Sequence, residues 1–409
     1  SLYNTSRKIQ TNQEDGVDKV MKKNIAIILI QLICVFSFIK SQTRYKNEIF
    51  NEVIKTENVV YGNAPDLPFI FGFEWNTFDI DLTMDIYEAS GDTATNRPVI
   101  IFLHPGAFYR GDNEADDMVS LSISSAKMGY VAVSLTYRLG LNVLSSYSGE
   151  RAVYRGVQDA SAAIRYLREH NANYGIDYDK IFIWGSSAGS FIGLHLNYIE
   201  ESERPESTYG SGSDPDLGCI DCEGNDFDHY SKPNAVVSCW GAIANLNWIN
   251  EDNKTPLIMF HGTADAVVPF NSGYPFTIDV FLPFVYGSNL IHNRLNNLGL
   301  DSKLYGEEGL PHEYWGTSNG TWADGPNEYF TIIKQDAYAF LFDVLYPYQL
   351  GDINNDGTLN VNDISNMLSI IINNDYFNFD TYYADLNFDG QTNIFDLIML
   401  FENIIFPSL

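Results

Sequence analysis

The chain has 409 residues, 45% of them hydrophobic, and sets 24 basic side chains against 53 acidic ones for a net charge of -29. At roughly 100–200 residues per domain, this predicts two or three domains with material for a large core, and it excludes a disordered or fibrous chain. So acidic a surface repels phosphate backbones and anionic headgroups, which argues against a nucleic-acid partner and favours neutral or cationic partners and hard metal cations. Residues 1–20 are polar and precede Met21, and are read as an upstream segment that is not native. Met21-Lys22-Lys23-Asn24 leads into fifteen residues, Ile25 to Ile39, that carry no charge. At about 1.5 Å per residue they reach roughly 22 Å, short of the ~30 Å hydrocarbon core. Residues 21–41 are therefore expected to be a signal peptide, with a retained N-terminal anchor as the alternative, and the mature protein to be secreted without stable membrane insertion. Bulky Ile33 before Cys34 argues against a lipid-modified cysteine.

From about Asn58 to Pro347, short apolar runs alternate with amphipathic segments. Residues 98–103, 130–135, 180–184, 235–239 and 256–260 read as buried strands, and residues 151–170 and 187–201 as helices. Apolar strands separated by helices predict an α/β fold, a doubly wound and mainly parallel sheet covered on both faces. Residues 76–87 alternate apolar and polar side chains and read as an antiparallel edge strand. Two stretches interrupt the rhythm: 203–233, open to reading as a lid or as surface decoration, and 270–286, rich in aromatic residues and proline. Trp184, Trp315 and the aromatics of 270–286 are candidates for an apolar pocket, with core packing an equal alternative for Trp184. Cys219 and Cys222 are open to reading as a redox pair, half a zinc site or a local disulfide; with no second pair the disulfide is expected, leaving Cys239 buried in a strand.

Gly185-Ser186-Ser187-Ala188-Gly189 follows a predicted strand and opens a predicted helix. Small residues two before and two after a serine are what a strained strand-to-helix turn requires, and only Ser187 has glycine at both positions. The turn would expose Ser187 Oγ and leave the Ala188 N–H free for an oxyanion. His104-Pro105-Gly106-Ala107-Phe108 follows an earlier strand, where Gly106 and Ala107 can supply further N–H donors and Pro105 cannot. His104 is expected to hold this loop rather than act as a base. Seven histidines compete for that role. Strand-end loops present His261-Gly-Thr-Ala-Asp265 and Pro311-His312-Glu313, and the chain order Ser187, Asp265, His312 suits a nucleophile, an orienting acid and a base. His261 is expected to brace Asp265, His195 to face packing, and Glu313 to point elsewhere.

With these pieces assembled, residues 58–347 resemble the α/β-hydrolase fold, and within it the hormone-sensitive-lipase-like and carboxylesterase branch. The resemblance is carried by residues 104–108, Ser134-Leu-Thr-Tyr-Arg138, Tyr174-Gly-Ile-Asp177, 185–189, Gly262-Thr-Ala-Asp265 and Pro311-His312. It implies a catalytic domain over 55–347 that hydrolyses carboxylic esters through an acyl-serine, with no organic cofactor. A departure is His-Pro-Gly-Ala at 104–107 in place of His-Gly-Gly-Gly, which puts Ala107 in a conformation glycine reaches more easily. Acetyl or feruloyl esters of polysaccharides are the substrates that family context implies. A lipase, a polyester depolymerase or an exopeptidase of the same fold are rivals within the enzyme class, and a non-catalytic calcium-dependent binding or assembly protein is the rival from another class.

Composition changes after Tyr348: residues 351–409 carry nine acidic residues and neither Lys nor Arg. Asp352, Asn354, Asp356, Thr358 and Asp363 occupy loop positions 1, 3, 5, 7 and 12, with Gly357 at position 6, and the pattern repeats as Asp385, Asn387, Asp389, Gln391 and Asp396 around Gly390. Oxygen ligands at that spacing predict two structural calcium sites in a small all-α module over 350–409. Each loop leads into an amphipathic helix, through Ile364, Met367, Leu368 and Ile371 and through Leu397, Leu400, Phe401 and Ile404. Two such copies with Asp at position 12 resemble a dockerin, which implies a scaffold protein as partner.

Overall fold

The computed structural model describes residues 44–68, 74–142, 145, 147–212, 214–277, 282–347, 349–373 and 383–405. Residues 1–43, which include the segments read as an upstream stretch and as a signal peptide and also Cys34, lie outside the described residues. Among the described residues no helix is long and apolar enough to cross a membrane.

Among the described residues eight strands form one sheet: β1 (Val53–Asp66), β2 (Phe78–Ala89), β3 (Arg97–Leu103), β4 (Val131–Leu135), β5 (Ile176–Ser186), β6 (Ala235–Cys239), β7 (Leu257–Gly262) and β8 (Ser302–Glu307). Their order is β1-β2-β4-β3-β5-β6-β7-β8. β1 and β2 run antiparallel to each other and β2 antiparallel to β4, while β4 through β8 are mutually parallel. This mixed, mostly parallel topology is that of the α/β-hydrolase fold. The strand expected at the edge, β2, is instead second, because β1 pairs along its whole length.

The sheet is buried on both faces because alternate side chains of each inner strand serve different cores. Val99, Ile101 and Leu103 of β3 and Ile183 of β5 join the cluster beneath α2 (Ser148–Glu169) and α3 (Ala188–Tyr198). Ile100 and Phe102 of β3 and Phe182 and Trp184 of β5 join the opposite cluster, with α1 (Asp116–Lys127) and α5 (Glu328–Leu345). The last helix before β8, α4 (Ser288–Asn297), packs beside that strand. Register aligns the carboxyl ends: Leu103 opposes both Leu135 and Gly185, Ser186 opposes Cys239, Cys239 opposes Phe260, and Gly262 opposes Glu307. Loops leaving β3, β5, β7 and β8 therefore emerge along one edge, where an open parallel sheet binds ligands.

The tail contributes α6 (Val361–Asn373) and α7 (Ile394–Ile405), packed around Ile353, Met367, Ile370, Leu386 and Leu400. Ile370 faces this small core, whereas Leu368 and Phe401, both expected inside, are 37% and 51% exposed. Phe388 packs on Tyr45, Phe342 and Tyr346, and the described residues from Arg44 onward belong to one compact unit.

Candidate active site

Ser187 occupies the turn from β5 into α3 with φ 51° and ψ -113°, a strained conformation for a non-glycine residue. Its N–H donates to the Cys239 carbonyl at 3.0 Å, and Ser190 Oγ bonds the carbonyls of Gly185 and Cys239, pinning the turn to β5 and β6. A Cβ at Gly189 would collide with the Leu103 carbonyl at the end of β3, so glycine is what lets the helix start hard against the sheet.

The expected base and acid arrive from neighbouring strand ends. Ser187 Oγ donates to His312 Nε2 at 2.9 Å, and His312 Nδ1 donates to Asp265 Oδ2 at 2.6 Å. Asp265 Oδ1 accepts the N–H groups of Val267 and Val268 at 2.8 and 2.9 Å, which fixes the carboxylate plane. His261 Nε2 lies 3.3 Å from Asp265 Oδ2 and 3.0 Å from the Val268 carbonyl; both are acceptors, so this nitrogen carries the proton. Burial alone would raise the Asp265 carboxyl, but hydrogen bonds from His261 and His312 outweigh it and hold the group well below the usual carboxylate range. An ionised Asp265 fixes the His312 tautomer and stabilises the imidazolium formed when the serine proton moves.

Gly106, Ala107 and Phe108 have φ of 126°, 56° and 57°, so Ala107 takes the left-handed conformation that was expected of it. Among the described residues, none of the turn and loop hydrogen bonds uses the N–H of Gly106, Ala107 or Ala188. His104 is a brace: fully buried, it stacks on Tyr137 at 4.1 Å, its Nδ1 lies 2.7 Å from the Pro105 carbonyl, and burial pushes its imidazole down to about 4. Glu313 turns away from His312 to accept the Asn319 N–H, and burial raises its carboxyl. His195 packs within α3.

A cavity of about 60 Å³ opens beside Ser187, lined by Ala107, Phe108, Phe191, Val267, Phe276 and Leu282 among others. The 270–286 stretch thus reaches the site through its described residues; residues 278–281 lie outside them. The 203–233 stretch instead braces α2, where Arg151, Gln158 and Arg165 donate to the carbonyls of Ser207, Leu217 and Asn225. Its Cys219 and Cys222 form a disulfide, and Cys239 is free and buried. Trp184 belongs to the core, packed on Phe102 and Tyr338. Trp315 is also buried, against Trp240, whose ring lies 6.1 Å from that of His312. Trp240 and Ser288, whose Oγ lies 2.8 Å from His261 Nδ1, are supports that sequence reasoning missed.

Residues 84–241 match the BD-FAE family model. The match takes in residues 104–108 and the Ser187 turn, and ends before Asp265, His312 and the tail. The para-nitrobenzyl esterase of Bacillus subtilis (strain 168) is 34% identical over 97 residues, 23% of this chain and 20% of that protein. Carboxylesterase 3B of Mus musculus is 34% identical over 113 residues, 27% of this chain and 19% of that protein. The chain thus spans about a fifth of the length of these curated relatives. Thermogutta terrifontis esterase 2 phosphorylated by paraoxon is 22% identical over 69% of this chain and 94% of that one, with a TM-score of 0.47.

The two tail loops repeat one hydrogen-bond pattern. Asp352 accepts from Asp356 and Gly357 N–H at 3.1 and 2.7 Å, and Asp385 from Asp389 and Gly390 N–H at 3.1 and 2.8 Å. Asp363 reaches back to the N–H groups of Ile353 and Asn360, and Asp396 to those of Leu386 and Asn393. Burial, joined by the charges of Asp396 and Asp389, pushes the Asp385 carboxyl up to about 6. Among the described residues no three His, Cys, Asp or Glu side chains gather as a metal cluster. A cation here would draw on the mixed set of carboxylate, amide and hydroxyl oxygens named above, together with backbone carbonyls, and that all-oxygen chemistry fits a hard ion.

Proposed function

We propose that the protein is a serine carboxylic ester hydrolase. The observation that carries this reading is the unbroken chain from Ser187 Oγ through His312 to Asp265, set on a strained turn beside an apolar cavity. Ser187 Oγ attacks the ester carbonyl carbon while its proton passes to His312 Nε2. The N–H groups of Ala188, Gly106 and Ala107 hold the oxyanion, a contribution of roughly 3–4 kcal/mol per donor in related chemistry. His312 then returns the proton to the departing alcohol oxygen. Water, deprotonated by the same imidazole, releases the acid from the acyl-serine.

The BD-FAE match supports acetyl or feruloyl esters, and polysaccharides are the proposed carriers of those groups. Export through the 21–41 leader suits such an extracellular polymer. In the tail, Asp352, Asn354, Asp356, Thr358 and Asp363, and Asp385, Asn387, Asp389, Gln391 and Asp396, would hold two structural calcium ions; docking on a scaffold protein is the role proposed for that module. The test of the central reading is fluorophosphonate labelling read by mass. Wild type should be modified on Ser187 and hydrolyse p-nitrophenyl acetate and acetylated or feruloylated xylan, and Ser187→Ala should do neither. A folded, unlabelled wild type that turns over no ester would sink it.

A further inference from the structure

The cavity beside Ser187 has a neighbour. A second apolar cavity of about 30 Å³ lies behind it, reaching His195, Ala244 and Trp248, and the two share Val153, Phe191, Pro283 and Val285 as common wall. Phe191 stands one helical turn beyond Ser187, its N–H donating to the Ser187 carbonyl at 3.1 Å, and is only 8% exposed. Of the four shared residues it is the one on the helix that begins at the nucleophile, with its ring 6.0 Å from that of His195 and nearly parallel to it.

The wall beyond Phe191 is apolar even where it holds a histidine. His195 Nδ1 donates to the Phe191 carbonyl at 2.7 Å and its Nε2 accepts the Ala244 N–H at 3.4 Å, so both nitrogens face backbone. Burial pushes the imidazole down to about 4, which keeps it neutral in neutral solution. The ring faces that remain meet Phe191 and, edge-on, Trp248. Sugar hydroxyls entering such a space would lose their hydrogen bonds to water without replacement, whereas an acyl chain loses nothing polar. The two cavities are therefore aligned for the acyl half of an ester, not its alcohol.

We infer that Phe191 is the gate that sets acyl length, its ring closing the cavity at Ser187 to all but short acyl groups and walling off a second cavity that would otherwise extend it. This rests on the esterase reading and sharpens it, since of the acyl groups proposed above acetyl is the one that fits the closed cavity.

The experiment compares kcat/KM on p-nitrophenyl acetate, butyrate and octanoate within each variant of the full chain. Wild type should prefer acetate or butyrate over octanoate. In Phe191→Ala the octanoate-to-butyrate ratio should rise at least about tenfold, because each methylene moved from water into an apolar cavity is worth roughly fourfold. Adding Ala244→Leu, which fills the inner cavity, should take most of that gain away. Phe191→Leu, the milder truncation should the alanine variant fail to fold, should raise the ratio by a smaller factor. A Phe191 variant that still reacts with fluorophosphonate but keeps the wild-type ratio overturns the gate and leaves the esterase reading intact. No hydrolysis by wild type overturns both.

Discussion

The turn that carries Ser187 and the loops that open the tail helices both hold oxygen atoms by unusual backbone geometry, yet their rigidity has different sources. At the turn, strain at Ser187 is held by close packing: Gly189 against the Leu103 carbonyl, Ser190 Oγ on two carbonyls, and β6 alongside. In the tail, the geometry is held by carboxylates that bind their own loop's N–H groups while crowding one another. The first arrangement rests on packing and hydrogen bonds within the fold and should be indifferent to solution conditions that leave the core intact. The second accumulates buried negative charge and should respond to cations. Because the two regions are held by different forces, a change in the charged loops is expected to leave the packed turn and its nucleophile in place.

The largest effects should fall at the packed site. Ser187→Ala should fold and lower kcat on p-nitrophenyl acetate by about 10⁵- to 10⁶-fold. Asp265→Asn, which keeps the shape but removes the charge that fixes the imidazole tautomer, should lower kcat by about 10⁴-fold. The same substitution has a stability signature. The folded Asp265 carboxyl lies below its unfolded value, so its contribution is present above the unfolded carboxylate range and is lost as pH falls toward the folded value. Wild type should therefore exceed Asp265→Asn in urea midpoint at neutral pH, and the gap should narrow below about pH 4. A gap that widens in acid would mean that the carboxylate is not stabilised by its two histidines.

Two glycines sharpen the comparison. Gly189→Ala drives a methyl into the Leu103 carbonyl and should cost about 2–4 kcal/mol in urea unfolding, with activity lost in proportion to displacement of the turn. Gly357 in the first tail loop has φ 81° and open space around a Cβ, so Gly357→Ala meets no neighbour and pays only for its backbone conformation, about 1 kcal/mol. Equal costs would mean that the turn yields to the methyl as easily as a surface loop does.

The inner strands and the hydrogen-bonded set of Ser187, His312 and Asp265 were legible in the sequence because each leaves a local mark: a continuous apolar run, or a polar side chain just after one. β1 left none. Its alternation is broken by register shifts between Thr56 and Val59 and between Val60 and Gly62, so β2 read as the edge it does not form. Supports formed across the fold were silent for the same reason. Ser288 meets His261 from a helix 27 residues away, and Trp240 reaches His312 from the end of another strand. Helix periodicity marked an apolar stripe on α6 and α7, but which residues the stripe buries depends on the facing helix, and Ile370 rather than Leu368 points inward.

The smallest expected effect tests the separation most directly. Phe388 fastens the tail to Tyr45, and Tyr45 packs on Tyr130, which immediately precedes β4 and so lies at the amino edge of the sheet. Ser187, Asp265 and His312 stand at the carboxyl edge. If calcium organises the tail loops, chelation with EGTA should release charge repulsion among Asp385, Asp389 and Asp396, lower helical circular dichroism by part of what α6 and α7 contribute, and be reversed by added calcium. Hydrolysis of p-nitrophenyl acetate by the same sample should change by less than about twofold, because a loosened tail moves no group that orients the imidazole. A tenfold loss of activity on chelation would show that the packed half depends on the charged half after all, through the Phe388 contact, and Phe388→Ala in calcium should then reproduce that loss.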